Sequence, residues 1–148
     1  MSLIQLMYVS SAAHALTDGE LERILESCTR HNAETGITGM LLYSEGNFMQ
    51  VLEGSESAVT ETYERICQDS RHTNFFLLSK DQIPRREFSA WNMGFRRLTK
   101  RDAQNSPNYA PLFEHGFDPQ QLGTQSSLAA EMMREFCYLN TDQNATIE

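Results

Sequence analysis

Residues 36–54 read GITGMLLYSEGNFMQVLEG. Two apolar runs, Met40 to Tyr43 and Phe48 to Leu52, flank a turn around Glu45, Gly46 and Asn47. That pattern predicts a β-hairpin, because glycine and asparagine accept the backbone conformations that tight turns demand. Side chains alternate faces along a strand, so Phe48, Gln50 and Leu52 share one face. Gln50 is the odd member. An amide on an apolar face needs partners, since burying it unpaired costs about 1–3 kcal/mol. It offers both a donor and an acceptor, which suits a planar polar ligand held over the sheet.

Working outward, the opening run SLIQLMYVS places Ile4, Leu6 and Tyr8 on one strand face. Tyr8 is thus a second polar group on an apolar face, and its hydroxyl also requires a partner. Thr17-Asp18-Gly19-Glu20 fits a capping box, and Leu21, Ile24, Leu25 and Cys28 follow at helical spacing. Gly36 suits the helix stop. A second helix is expected to start between Ser55 and Ser57, with Val59, Tyr63, Ile66 and Cys67 as its buried stripe. Phe75 to Ser79 reads as a short strand, Arg85 to Glu87 as a connection after Pro84, and Trp91, Met93 and Phe95 as one face of a further strand-like run.

The order strand, helix, strand, strand, helix, strand is the ferredoxin-like βαββαβ arrangement, here with an additional strand. The fold class expected is therefore α+β, with both helices on one sheet face. Beyond Leu98 the chain turns polar, up to Pro107. Ser126 or Ser127 then caps a run carrying Leu128, Met132, Phe136 and Leu139. These C-terminal helices are expected to pack on the sheet or on another subunit. The division expected is residues 1–98 as the main domain, 99–140 as a helical extension and 141–148 as a flexible tail.

Tyr8, Asn32, the GITGMLLY run, Phe48-x-Gln50-x-Leu52-Glu53-Gly54, Tyr63-x-x-Ile66, Asp69-x-Arg71-His72 and Trp91-x-Met93 together resemble the BLUF family, blue-light sensors that bind FAD. The resemblance runs over about two-thirds of the chain, residues 1–98. It implies that Tyr8 gives an electron and a proton to the excited flavin. It implies that Gln50 bridges the Tyr8 hydroxyl and the flavin ring, then rearranges by rotation or tautomerisation. The cofactor contacts it implies are Ile24, Cys28, His31, Asn32, Phe48, Gln50, Arg65, Ile66, Asp69, Arg71 and His72. In that reading Ile24 and Ile66 sandwich the ring, and the Arg65, Asp69, Arg71 and His72 cluster meets the ribityl and pyrophosphate part. Trp91 and Met93 would pass the signal on. Cys28 departs from a pattern that often has serine near the flavin. Taken one at a time, the same residues also read as ordinary core, cap or surface positions.

Composition sets outer bounds. With 148 residues and 40% hydrophobic content, the chain is long enough for one domain with a real core. The net charge of −8 argues against a broad nucleic-acid surface. No apolar run approaches a membrane span and no signal-peptide pattern opens the chain, so no membrane association and a cytoplasmic location are expected. Cys28, Cys67 and Cys137 show no CxxC pairing, so no metal site is expected and each reads as a reduced thiol packed on a helix. The expected protein is a photoreceptor, not an enzyme, acting on a downstream signalling protein and forming a homo-oligomer. The alternatives are a small flavin-dependent oxidoreductase and a ferredoxin-like binding module without cofactor.

Overall fold

A computed structural model of the chain describes residues 2–44, 46–89 and 94–97, the last four and Ser44 by backbone alone. Strand β1 (Leu3–Ala12) leads to helix α1 (Asp18–Thr35), then strands β2 (Thr38–Ser44) and β3 (Asn47–Ser55). Helix α2 (Glu56–Cys67) and strands β4 (His72–Gln82) and β5 (Gly94–Arg97) follow. The sheet order is β4-β1-β3-β2-β5. β1 pairs antiparallel with β3 and β4, β2 pairs antiparallel with β3, and β5 joins β2 in parallel. This is the ferredoxin-like α+β fold with the additional strand at the β2 edge.

Local chemistry sets the helix ends. The Thr17 hydroxyl accepts the Glu20 N–H at 3.2 Å, and the Glu20 carboxylate accepts the Thr17 N–H at 3.1 Å. Each side chain satisfies a backbone donor that the first helical turn leaves open. The Thr17 N–H, then the His14 side chain, holds the Glu20 carboxyl down to about 2. Gly36 ends α1 in the left-handed conformation at φ 73°, which costs glycine nothing. Ser55 caps α2 through the Ala58 N–H.

The second helix corrects one expectation. Its buried residues are Val59 and Thr62, Tyr63 and Ile66 are partly buried, and Cys67 is exposed. At about 100° per residue, Thr62 and Ile66 stay near the direction of Val59, whereas Cys67 turns to the edge of the stripe. Cys28 packs against the core as expected, and Cys137 lies outside the described residues. β4 is also longer than its apolar centre. Polar residues at both its ends pair with β1 from Ile4↔Gln82 to Ala12↔His72, and alternation of polarity cannot mark such an edge segment. In the hairpin Ser44 pairs with Asn47, so Asn47 belongs to the strand and not to the turn.

One core lies between the helices and the sheet, built on Ile4, Leu6, Tyr8, Leu21, Ile24, Ile37, Leu41, Phe48, Leu52 and Val59. The opposite face carries Met7, Val9, Met40, Leu42, Met49 and Val51, all buried. A strand buried on both faces is a rigid support, and β3 is of this kind. Two register shifts in the β1–β4 pairing, between Met7 and Tyr8 and between Val9 and Ser11, bracket Tyr8, and Asn74 has φ 54°. Such bulges re-aim side chains; here β4 turns Phe75 toward the Tyr8 ring and His72 toward Phe48. Among the described residues no helix is long and apolar enough to cross a membrane. The expected C-terminal helices and tail lie outside the described residues.

Candidate functional site

Tyr8 and Gln50 stand directly opposite each other in the β1–β3 ladder, and paired residues in register point to the same face. Both are almost completely enclosed, at 1% and 2% exposure. The Tyr8 hydroxyl donates to Gln50 Oε1 in a buried hydrogen bond. The Tyr8 ring lies 5.2 Å from that of Tyr63 and 5.8 Å from that of Phe75, centroid to centroid. Burial, with Cys28 next in weight, raises the Tyr8 phenol well above its ordinary value. Tyr8 is therefore neutral near pH 7 and keeps its proton. Burial also pushes the Cys28 thiol up to about 11, against the opposing influence of Arg71 and then Gln50.

A slot of about 470 Å³ opens over this pair, between α1 and α2. Ile24 from α1, Ile66 from α2 and Leu41 from β2 give it apolar walls, and Asn32 and Gln50 bring side-chain amides into it. Asn32 is 1% exposed in the last turn of α1, where its carbonyl accepts the Ile37 N–H at 2.9 Å. This size and lining, apolar with a few placed polar groups, is typical of small-molecule sites.

One end of the slot is basic. Arg71 forks onto Asp69, with Nε to Oδ1 at 3.0 Å and Nη2 to Oδ2 at 2.6 Å, and Oδ1 also accepts the Arg71 N–H. The guanidinium holds the Asp69 carboxyl below its usual range, and Asp69 in turn raises Arg71. His72 packs its ring 4.7 Å from that of Phe48 and meets the Ser10 hydroxyl at 3.3 Å. Burial lowers its pKa. His31 joins the two helices. Arginine can only donate, so His31 Nδ1 accepts from Arg65 and its Nε2–H donates to the Thr62 hydroxyl at 3.0 Å. Burial, then the neighbouring Arg65, lowers the His31 pKa. That imidazole is neutral and bridging, unlike a solvated histidine at a helix end.

The slot thus gathers Tyr8, Ile24, Cys28, His31, Asn32, Gln50, Arg65, Ile66, Asp69, Arg71 and His72. Phe48 does not line it; that ring supports His72 from behind. Trp91 and Met93 lie outside the described residues. Ser27, Leu41, Thr62, Gln68 and Ser70 also line the slot and were not singled out from sequence. Thr62 carried a readable signal, a small polar residue on the buried stripe of α2. The others have no comparable mark.

Known proteins resemble this chain in sequence and fold. The family model described as BLUF, sensors of blue-light using FAD, matches residues 3–94. The photoactivated adenylate cyclase subunit beta of Euglena longa is 38% identical over 93 residues, which is 62% of this chain and 11% of that protein. The blue light- and temperature-regulated antirepressor BluF of Escherichia coli (strain K12) is 34% identical over 131 residues, 87% of this chain and 31% of that protein. The chain therefore spans about a tenth of the cyclase subunit and less than a third of the antirepressor. Among solved structures, the dark state of BlrB, a BLUF protein, superposes with a TM-score of 0.72 at 27% identity, covering 93% of this chain and 96% of that one. The photo-activated state of BlsA gives 0.76 at 26% identity, covering 91% and 94%.

Proposed function

The chain belongs to the BLUF family of blue-light sensors, and from that premise we propose that Tyr8 and Gln50 form its switch and that FAD is the flavin it holds. One observation carries the proposal: the enclosed hydrogen bond from the Tyr8 hydroxyl to Gln50 Oε1, at the wall of a slot that suits a flat ring. The residues fit a flavin along the whole slot. Ile24 and Ile66 would flank the ring, Asn32 and Gln50 would meet its polar edge, and Arg71, set by Asp69, with Arg65, His31 and His72 would face the phosphates. Two arginines at that end supply cationic N–H donors enough for two phosphates, which favours FAD over a mononucleotide.

When bound, the flavin absorbs blue light and becomes an oxidant. Tyr8 is the residue that answers it. Its neutral phenol holds a proton that leaves only together with an electron, and Gln50 Oε1 is placed to take that proton. The Gln50 amide then rotates or tautomerises and presents a changed hydrogen-bonding edge to the slot. The electron and proton return to Tyr8, so the cycle consumes no substrate, and the chain acts as a sensor without turnover. Phe48 holds His72 in place, and Trp91 and Met93 carry the change onward. Residues 1–98 form the sensing unit, and residues 99–140 present its output. The output is a changed contact with a separate signalling protein or with another copy of the chain, in the cytoplasm. A light-driven change acts only where a partner binds the two states with different affinity. The net charge of −8 disfavours direct binding to nucleic acid.

The test is an absorption spectrum of the purified protein before and after blue light, followed through dark recovery. A small, reversible red shift of an oxidised-flavin spectrum is the expected result. A flavin spectrum that never shifts, or one that bleaches for good, would reject the switch. Mass analysis of the released flavin separates FAD from a mononucleotide.

A further inference from the structure

Glu53 lies on the same strand as Gln50 but faces the other side of the sheet, and its carboxylate is fully buried at 0% exposure. A buried carboxylate is retained only where donors replace its water. Four do so here. Gln5 Nε2 on β1 donates to Oε2 at 2.8 Å, and Thr38 Oγ1 on β2 to Oε1 at 3.4 Å. The Glu87 N–H donates to Oε2 at 3.0 Å and the Phe88 N–H to Oε1 at 2.9 Å. Two consecutive backbone amides of the β4–β5 connector thus close on one carboxylate. Arg86 completes the grip, donating to the Glu53 carbonyl at 3.1 Å and to Thr38 Oγ1 at 2.9 Å. Phe88 is buried at 3% exposure beside these contacts.

None of these groups lines the flavin slot, and packing alone would be served by an apolar side chain. We propose that Glu53 is a positioning residue that ties the β4–β5 connector to strand β3, so that a displacement of β3 at Gln50 is passed to residues 86–88. β3 is hydrogen-bonded on both sides and buried on both faces, so it moves as a unit. The clasp lies three positions beyond the switch on β3, and the alternation of the strand puts them on opposite faces. A change on the helix side is thereby delivered to the other side of the sheet. The connector is the chain that leads toward β5, which lies against β2 rather than against the switch.

The transmission step rests on the proposed light switch; the clasp itself does not. Glu53→Gln keeps the volume of the side chain and one carbonyl oxygen but replaces the other acceptor with an NH2 group that faces N–H donors. The assay is residue-resolved amide hydrogen exchange on the full, FAD-loaded chain, in darkness and under blue light, with absorption recorded alongside. In the unaltered protein the amides of Glu87 and Phe88 are expected to exchange slowly in darkness and at a changed rate in light. In Glu53→Gln at least one should exchange about tenfold faster in darkness, as expected when a bond to a charged acceptor is lost. The light-induced red shift should remain while the light-dependent change at residues 86–88 disappears. Unchanged dark exchange at both amides would overturn the clasp, and a surviving light response at 86–88 in the variant would overturn the transmission. An unaltered protein whose absorption shifts while these two amides do not respond would overturn it without any variant. Absence of the red shift in the unaltered protein would instead count against the switch, and the dark exchange would still decide the clasp.

Discussion

Replacing Tyr8 with phenylalanine separates the chemical role of this residue from its structural one. The change removes a single oxygen and leaves the ring, so the contacts with Tyr63 and Phe75 at 5.2 and 5.8 Å persist. What is lost is the enclosed hydrogen bond to Gln50 Oε1. A buried hydrogen bond is worth about 1 kcal/mol net, and an acceptor left without its donor raises the cost to about 1–3 kcal/mol. For a chain of this length about 1 kcal/mol corresponds to roughly 4 °C in melting temperature, so a fall of roughly 4–12 °C is expected. Flavin binding should survive, because the slot keeps its shape and its basic end. The light-induced red shift should vanish altogether, since phenylalanine has no O–H to release and no accessible oxidation. Thermal melting and light-minus-dark absorption on the same sample read the two effects. A red shift of normal size in Tyr8→Phe would refute the role given to Tyr8, whatever the melting temperature. A loss of flavin binding would show that the hydroxyl shapes the slot and does not act only in the chemistry.

Four further outcomes are expected. Gln50→Leu removes the bridging amide, so a normal red-shifted state in that variant would contradict the hydrogen-bond switch. Arg71→Ala should weaken binding of FAD by about tenfold or more while leaving riboflavin, which lacks phosphate, nearly unaffected, as the loss of a charge-assisted contact implies; equal losses for both ligands would place Arg71 away from the phosphates. His72 and His31 are both depressed below the ordinary histidine value of about 6.5, so the unfolded chain takes up their protons first. Their contribution is whole above about pH 6.5 and declines as pH falls through the folded values; urea midpoints that rose between pH 7.5 and pH 5 would contradict this, as would histidine rings titrating above 6.5 by NMR. Thr17→Ala removes the cap of α1 and should cost about 1 kcal/mol, whereas Thr17→Ser should melt like the parent chain.

The hairpin, both helices and the additional strand were legible because each carries its own local signal. Turn glycine, capping box and apolar spacing all act within a few residues, and Thr17, Gly36 and Gly46 behave as those rules require. Where local signals ran out, the reading ran out with them. The polar ends of β4 owe their strand form to pairing with β1, a partner some 70 residues away in sequence. Cys67 was misplaced because a stripe read from spacing does not show where the facing surface ends. Ser27 reaches the slot from the middle of α1, and Gln68 and Ser70 from just past the end of α2, and nothing in their immediate sequence marks them.

By itself the sequence determined the element order, the α+β class, and the presence of a phenol and an amide on apolar strand faces, each in need of a partner. That they partner each other was implied by the family resemblance and not by strand spacing, which gives no register. The pairing itself follows from the β1–β3 register, which sets Tyr8 against Gln50 and Gln5 against Glu53 on the other face. Register is a property of two strands and of the cores on both their faces, since a slip by one residue would exchange every side chain between the faces. Tertiary structure likewise decided that His31 bridges the helices through Thr62 and Arg65, and that Glu53 closes on the amides of a connector 34 and 35 residues further along. The physical reason is the same in each case. Propensity and spacing act over a turn or a pleat, while the partner of a buried polar group is chosen by whichever distant segment the packed sheet brings within about 3 Å.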